Sequence, residues 1–154
     1  MKQTFLFLIA AFLLVCCGCK SDRNMAEKAA YNYSFAMANY QLDEAAKYAT
    51  VETQKTVLVR AEQLLQKVDS SYIKSDTPAT IEIESLEFTS DSTAVATYHK
   101  TTPIKNFSGN LELRKRDGQW YAHVVPPTPT PAEQKKIRER EAKNDTLRQL
   151  HIGF

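Results

Sequence analysis

The spacing of apolar residues changes once along this chain, close to Pro78, and this change limits the possible folds more than any other feature. Before Pro78 the apolar residues recur at intervals of three and four, which is typical of helices with one buried face. After Pro78 they alternate with polar residues, which is typical of strands with one buried face. Helices followed by a run of strands predict an α+β domain. With 154 residues, the chain is long enough for one domain and too short for two ordinary ones.

Three helices are predicted before Pro78, over about residues 24–40, 41–49 and 52–70. The third has the most regular apolar period of the three. The first helix has two adjacent apolar stripes, which consist of Ala30, Tyr33, Met37 and Tyr40 and of Tyr31, Phe35, Ala38 and Leu42. Residues 70–78 are rich in polar side chains, and we predict a break there.

Four strands are predicted after Pro78, over residues 81–88, 93–100, 111–116 and 119–125, with a loop over residues 101–110. In the first strand the alternation shifts by one residue, which indicates a bulge near Ser85. Asp117 and Gly118 separate the last two strands, and this pair favours a type I′ hairpin turn.

A two-residue turn sets the register of the last hairpin, so the residues that face each other follow from it. Lys115 then faces Trp120, Leu113 faces Ala122, and Glu112 faces His123. The face that should pack on the helices consists of Leu111, Leu113, Trp120, Ala122 and Val124. The opposite face, which we expect to be solvated, consists of Glu112, Arg114, Tyr121 and His123.

The chain starts with a pattern that is typical of an export signal. Lys2 precedes eleven consecutive apolar residues over positions 5–15, fewer than the roughly 20 that a transmembrane helix needs. The run ends in Cys16-Cys17-Gly18-Cys19, which resembles the lipobox of bacterial lipoproteins. In a lipobox a small residue precedes the Cys that is diacylated and becomes the mature N-terminus.

The resemblance to a lipobox implies a signal peptide over residues 1–18 and a lipidated tether over residues 19–23. Cys19 is the preferred lipidation site because Gly18 precedes it, and Cys17 is the alternative because Leu14 and Val15 stand at the expected positions before it. Two or three acyl chains suffice for stable membrane anchoring, so we expect a lipoprotein of the bacterial cell envelope. Lys20 replaces the Asp that resembles an inner-membrane retention signal, so the outer membrane is expected.

The end of the chain differs from the domain in composition. A proline-rich linker covers residues 126–131, and a charged helix is predicted over residues 132–154, with six basic and four acidic residues between positions 132 and 150. This tail has two interpretations, contact with anionic lipid headgroups or a solvated helix that binds an envelope protein partner; the second is preferred because acids interrupt the basic residues. A formal net charge of +2 does not indicate a nucleic-acid partner.

Three segments together resemble nuclear transport factor 2-like domains. They are Asn39-Tyr-Gln-Leu-Asp-Glu-Ala-Ala-Lys-Tyr48, which follows the helix rich in Ala and aromatic residues, residues 91–98, and residues 111–120 with their Asp-Gly turn and Trp. The resemblance covers about residues 24–125. It implies a cone, in which a curved four-stranded antiparallel sheet wraps around three N-terminal helices and leaves a pocket at the open end. The superfamily contains enzymes, subunits of larger assemblies and binding modules, so the fold alone does not choose among these functions.

The residues do not match the superfamily's catalytic pattern, an Asp/His or Tyr/Asp pair inside the cone. The hairpin face that would line the cone is apolar, so we expect no catalytic residue, no cofactor and no metal ion. The three cysteines lie together, and no other Cys completes a metal site. His99 and His123 stand on strands that a third strand separates, and His123 is expected at the surface, paired with Glu112.

The candidates for a ligand pocket are Tyr31, Phe35 and Trp120, although such aromatic residues more often belong to the core. The predicted function is a non-catalytic module that binds a ligand or a protein at the cell envelope. Two alternatives stay open, a small isomerase- or hydrolase-type enzyme that uses the cone cavity and an accessory subunit of an envelope complex.

Overall fold

The computed structural model describes residues 21–126 together with Lys135, Arg138 and Glu139. The predicted signal peptide, the two candidate lipidation sites, most of the proline-rich linker and most of the charged tail lie outside the described residues. No helix within residues 21–126 combines the length and the apolar character that crossing a membrane requires.

Between residue 21 and the sheet, the chain forms four helices. Residues 21–38 form α1, and Leu42–Lys47 form α2. The next helix, α3, consists of Val51–Thr53, a π-helical turn over Gln54–Leu58, and Val59–Leu65. The last helix, α4, covers Ser70–Asp76.

The predicted break over residues 70–78 is therefore wrong, because α4 occupies most of it. The polar residue before this helix, Asp69, caps it. The carboxylate of Asp69 accepts a hydrogen bond from the backbone amide of Ser71 at 2.7 Å. Asp and Ser are favoured at helix N-termini for this reason, and the polar cluster was a start signal. The helix predicted over residues 52–70 correspondingly ends at Leu65.

The sheet contains four antiparallel strands in the order β1-β2-β3-β4. They are β1 (Thr80–Ser90), β2 (Thr93–Thr101), β3 (Asn106–Arg116) and β4 (Gln119–Ala122). The predicted α+β class and four-stranded antiparallel sheet are confirmed. The pairing of β1 with β2 shifts between Ile83 and Ser85, which confirms the predicted bulge.

The hairpin between β3 and β4 has the predicted register, with Leu113 opposite Ala122 and Lys115 opposite Trp120. Asp117 and Gly118 have positive φ angles of 51° and 78°, as a type I′ turn requires. The predicted apolar face packs into the core, where Leu111, Leu113, Trp120 and Ala122 are all buried. Small residues of α1, such as Ala26 and Ala30, allow the helix to lie close to this face.

The predicted loop over residues 101–110 is too long, since β3 begins at Asn106. A tight turn connects β2 to β3, and the backbone amide of Thr102 donates to the carbonyl of Lys105 at 2.9 Å. Pro103 lies in this turn, as its missing amide hydrogen favours. Gly109, which contributed to the loop prediction, lies inside β3 opposite Tyr98.

The last strand ends at Ala122 and not at residue 125. Beyond it the chain bonds to α3, since the backbone amide of Val124 donates to Oγ1 of Thr53 at 2.8 Å. His123 is therefore not the surface residue that was predicted. Its backbone amide still donates to the carbonyl of Glu112 at 2.8 Å, but its ring is buried, with Nδ1 lying 3.1 Å from Oγ1 of Thr50.

Candidate functional site

The short β4 leaves an opening between the helices and the sheet. β4 pairs with β3 only from Leu113 to Arg116, so the first half of β3 has no partner strand on that side within residues 21–126. Where β4 is present, small and apolar residues fill the inner face. Where β4 is absent, the inner face continues as Tyr98 and Lys100 of β2 and Phe107 and Gly109 of β3. A cavity of about 520 Å³ lies there, which is within the usual size range of small-molecule sites.

The cavity has an apolar wall and a smaller number of polar groups. α1 and α3 form one side and the first half of β3, with the end of β2, forms the other. The apolar and aromatic lining residues are Tyr33, Met37, Ala38, Val57, Tyr98, Phe107, Leu111 and Val124. The polar lining residues are Ser34, Lys100, Lys105, Asn106 and Asn110. This combination is typical of sites that bury an apolar body and orient it by a few polar contacts.

Gly109 makes room for the aromatic part of this wall. A Cβ atom at Gly109 would lie 2.7 Å from Cε1 of Phe107 and 3.1 Å from the hydroxyl oxygen of Tyr98. The two rings, whose centroids lie 6.3 Å apart, therefore cover the space that a side chain at position 109 would fill. A larger residue there would have to displace Phe107 or Tyr98 from this wall.

Two tyrosine hydroxyls lie at the cavity. Burial, with a smaller contribution from the neighbouring Tyr98, raises the pKa of Tyr33 to about 12. Burial also raises the pKa of Tyr98. Both phenols are therefore neutral at physiological pH, and each can donate one hydrogen bond and accept another.

A buried carboxylate stands behind the two lysines of the cavity. The side chain of Asp76 is 1% exposed, and its oxygens lie 3.7 Å from Nζ of Lys100 and 3.9 Å from Nζ of Lys105. It accepts hydrogen bonds from the hydroxyls of Tyr40 at 2.8 Å and Thr102 at 2.9 Å. These contacts connect the end of α4 to the end of α1 and to the turn between β2 and β3.

The surroundings of Asp76 favour its charged form. Burial is the largest single influence and acts to raise the pKa of this carboxyl. The hydrogen bonds from Tyr40 and Thr102, together with the charges of Lys100 and Lys105, outweigh burial and bring the pKa below its ordinary value. Asp76 is therefore ionised at neutral pH, and it neutralises one of the two lysine charges.

Tyr40 reaches Asp76 from an unusual backbone conformation. Its φ angle is 59°, in the left-handed region, which costs a residue other than glycine about 1–2 kcal/mol. The residue follows α1 and ends it, since the amide of Gln41 donates back to the carbonyl of Ala36 at 2.8 Å. The hydrogen bond to the buried carboxylate offsets part of this cost.

The aromatic residues selected from the sequence do not line this cavity. Tyr31 and Phe35 stack on each other with ring centroids 5.8 Å apart. Tyr31 lines a separate open groove of about 400 Å³ together with Ile83 and polar residues of α1. Trp120 is 4% exposed and belongs to the core, where it packs edge-on against Phe88.

The residues that the sequence analysis missed stand on the segment predicted as a loop and at the end of the strand before it. The missed residues are Tyr98, Lys100, Lys105 and Phe107. One signal was available: Phe107 has the same parity as Leu111 and Leu113, so an earlier start of β3 places it on the inner face.

The two histidines that the structure describes, His99 and His123, do not converge on a common point. Nδ1 of His99 lies 2.9 Å from Oγ of Ser108 at the surface, whereas His123 contacts Thr50 in the interior. Among the residues that the structure describes, no group of three His, Cys, Asp or Glu side chains is arranged to hold a metal ion.

The helices, the curved antiparallel sheet and the cavity at its open end define an NTF2-like α+β domain. A solved structure titled "Putative NTF2-like transpeptidase" from Campylobacter jejuni has this fold, with 17% identity and a TM-score of 0.50 over 64% of this chain and 97% of that one. An NTF-2 like protein of unknown function from Shewanella oneidensis matches with 13% identity and a TM-score of 0.48, over 66% of this chain and 96% of that one. No curated protein matches the chain.

A match to a protein family relates the chain to known proteins more specifically than its fold does. The sequence profile of the family with the description "Putative lumazine-binding" matches residues 29–125. This range includes α1 from Ala29 onward, the three following helices and the whole sheet. The chain belongs to this family.

Proposed function

We propose that this protein is a lipid-anchored module of the bacterial cell envelope that binds a small molecule without transforming it. The cavity of about 520 Å³ between α1, α3 and the open half of the sheet is the observation that carries the proposal. Its apolar wall and few polar groups are the combination that small-molecule sites have. The family description names a small-molecule ligand, which supports this class of function.

The anchor in this proposal is an acylated cysteine, Cys19 or, as the alternative, Cys17. Residues 21–23 are already helical, and the carboxylate of Asp22 pairs with Nζ of Lys115 at 2.8 Å. A lipid on Cys19 would therefore leave almost no free tether, and the domain would lie directly against the membrane surface. The outer membrane is the proposed location, because Lys20 follows Cys19.

Mass spectrometry of the full chain, extracted in detergent from its native membrane, tests both parts of the proposal. If the anchor is present, the intact mass is that of a chain without its signal peptide and with added acyl chains. A mass without acyl groups, or a chain that still starts with the initiating methionine, contradicts the anchor. Native spectra report any small molecule that stays bound to the domain.

Two variants of one strand show whether a bound molecule occupies the cavity. Gly109→Val adds a side chain on the inner face and should abolish the retained ligand, because it displaces Phe107 and Tyr98, which line the cavity. Ser108→Val adds volume at an exposed position of the same strand and should retain the ligand. Equal retention by both variants would place the ligand elsewhere and contradict the proposal.

One observation favours an enzyme as the second candidate. Tyr40 and Asp76 form a Tyr–Asp pair, 2.8 Å apart, next to Lys100 and Lys105. Asp76 does not line the cavity, and both its oxygens accept hydrogen bonds from the protein. Incubation of the retained molecule with wild-type protein and with Asp76→Asn decides between the candidates: conversion by the wild type alone supports an enzyme, and recovery of unchanged ligand from both supports a binding module.

A further inference from the structure

The charges at the cavity are unevenly distributed. Lys100 and Lys105 both line it, and its lining within the described part of the chain contains no acidic side chain. Asp76, behind them, neutralises one of the two ammonium groups. The cavity therefore presents one excess positive charge next to aromatic residues of the sheet, where Lys100 of β2 lies opposite Phe107 of β3.

The lysines keep donors for a further partner. Nζ of Lys100 lies 3.7 Å from the nearer oxygen of Asp76, which is beyond hydrogen-bond range. Nζ of Lys105 lies 3.9 Å from the other oxygen of Asp76 and donates to the hydroxyl of Tyr72 at 3.2 Å. An ammonium group has three donors, so each lysine can still donate to a ligand.

The carboxylate of Asp76 leaves the two ammonium groups available to a ligand anion. Its two oxygens already accept hydrogen bonds from Tyr40 and Thr102. It holds the lysines near the cavity by charge and, at 3.7 and 3.9 Å, takes none of their hydrogen-bond donors. An anionic group that enters the cavity would find two cations placed in advance.

We propose that the cavity selects a small aromatic molecule with one anionic group, whose ring packs on Tyr33, Tyr98 and Phe107 and whose anion pairs with Lys100 and Lys105. This inference rests on the proposed function, since it names the class of ligand for the same cavity.

Two probes of nearly equal size distinguish the contribution of the anionic group to binding from that of the aromatic ring. They are 2-naphthoate, which has one carboxylate, and 2-naphthamide, which is neutral. Equilibrium dialysis of the full chain in its purification detergent, with detergent alone as the blank, gives the dissociation constant of each probe. We expect 2-naphthoate to bind wild type about tenfold more tightly or better, because charge-assisted hydrogen bonds are stronger than neutral ones.

Variants assign the difference to the two lysines. Lys100→Met with Lys105→Met should weaken 2-naphthoate about tenfold and leave 2-naphthamide nearly unchanged, whereas Lys47→Met, outside the cavity, should change neither. Lys105→Met alone serves if the double variant does not fold, since this side chain is half exposed; a loss of about threefold is then expected. Unchanged amide binding shows in each case that the cavity is intact.

The outcomes separate this inference from the proposed function. Equal affinities of the two probes for wild type, or equal losses of both in the lysine variants, would overturn the inference and leave a ligand-binding cavity in place. Binding of neither probe, or binding that Gly109→Val does not reduce, would overturn both.

Discussion

Replacement of Asp76 by Asn tests how the cavity is held in shape. The carboxylate accepts two hydroxyl hydrogen bonds and lies near two ammonium groups. Asn has the same shape and keeps one acceptor oxygen, but it has no negative charge. Its NH2 group replaces the second oxygen, so one of the two hydroxyls, of Tyr40 or Thr102, faces a donor instead of an acceptor. Hydrogen bonds to charged groups contribute about 1.5–3 kcal/mol each. Because Lys105 is half exposed and solvent screens that side, we expect the free energy of unfolding to fall by about 2–3 kcal/mol.

The loss is measured by chemical denaturation and by thermal melting. For a domain of this size, each kcal/mol lowers the melting temperature by about 4 °C or more, so a decrease of about 8 °C or more is expected. Asp91→Asn, which removes a carboxylate from the exposed turn between β1 and β2, is the matched control and should remain within about 0.5 kcal/mol of wild type.

The pH dependence of this difference has a definite sign. The folded-state pKa of Asp76 is lower than its ordinary value, so the unfolded chain takes up the proton first as the pH falls. The stabilisation is fully present above the unfolded pKa of about 3.9 and is lost as the pH falls through the lower folded value. The gap between wild type and Asp76→Asn should therefore be constant from about pH 5 to 8 and narrow below about pH 4. A gap that widens toward acid pH, or a loss below about 0.5 kcal/mol at neutral pH, would refute the reasoning.

Three further predictions concern the core, the hairpin and the anchor. Leu113→Ala should lower the free energy of unfolding by about 3 kcal/mol in denaturant titrations, because Leu113 is fully buried; a loss under about 1 kcal/mol would contradict its place in the core. Gly118→Ala should lower the free energy of unfolding by about 1 kcal/mol, because the φ angle of Gly118 is 78°. Gly118→Asn should lower it less in the same assay, because Asn tolerates this conformation. Equal losses for the two variants would contradict this prediction. Cys19→Ala should abolish acylation and Cys17→Ala should not, as intact mass reports, and the reverse pattern would assign the lipid to Cys17.

The sheet was predictable where local rules decide it. Asp117 and Gly118 set the hairpin register by their own backbone preferences, and the shift in alternation near Ser85 located the bulge. The polar residues around Ser70 were misinterpreted because capping residues and loop residues have the same composition. Gly109 was misinterpreted as a loop residue. A glycine stands there because a side chain would collide with Tyr98 and Phe107, and not because the backbone turns.

The site was harder to predict because long-range contacts create it. The two stripes of α1 are equally apolar in sequence, and only packing shows that Tyr33 faces the cavity whereas Tyr31 stacks outside it. The length of β4 decides where the cavity opens. It depends on the bond between Val124 and Thr53, 71 positions apart along the chain, which no local pattern indicates.

The most direct test of the ligand-binding cavity is a methyl-resolved NMR titration of the full chain with 2-naphthoate. A bound ring shifts the resonances of methyl groups that it covers. We expect shifts at Met37, Val57 and Leu111, which line the cavity, and none at Val51 and Val59, which are exposed on α3. Shifts confined to the exposed valines, or no shifts at all, would contradict the claim that this cavity is the binding site.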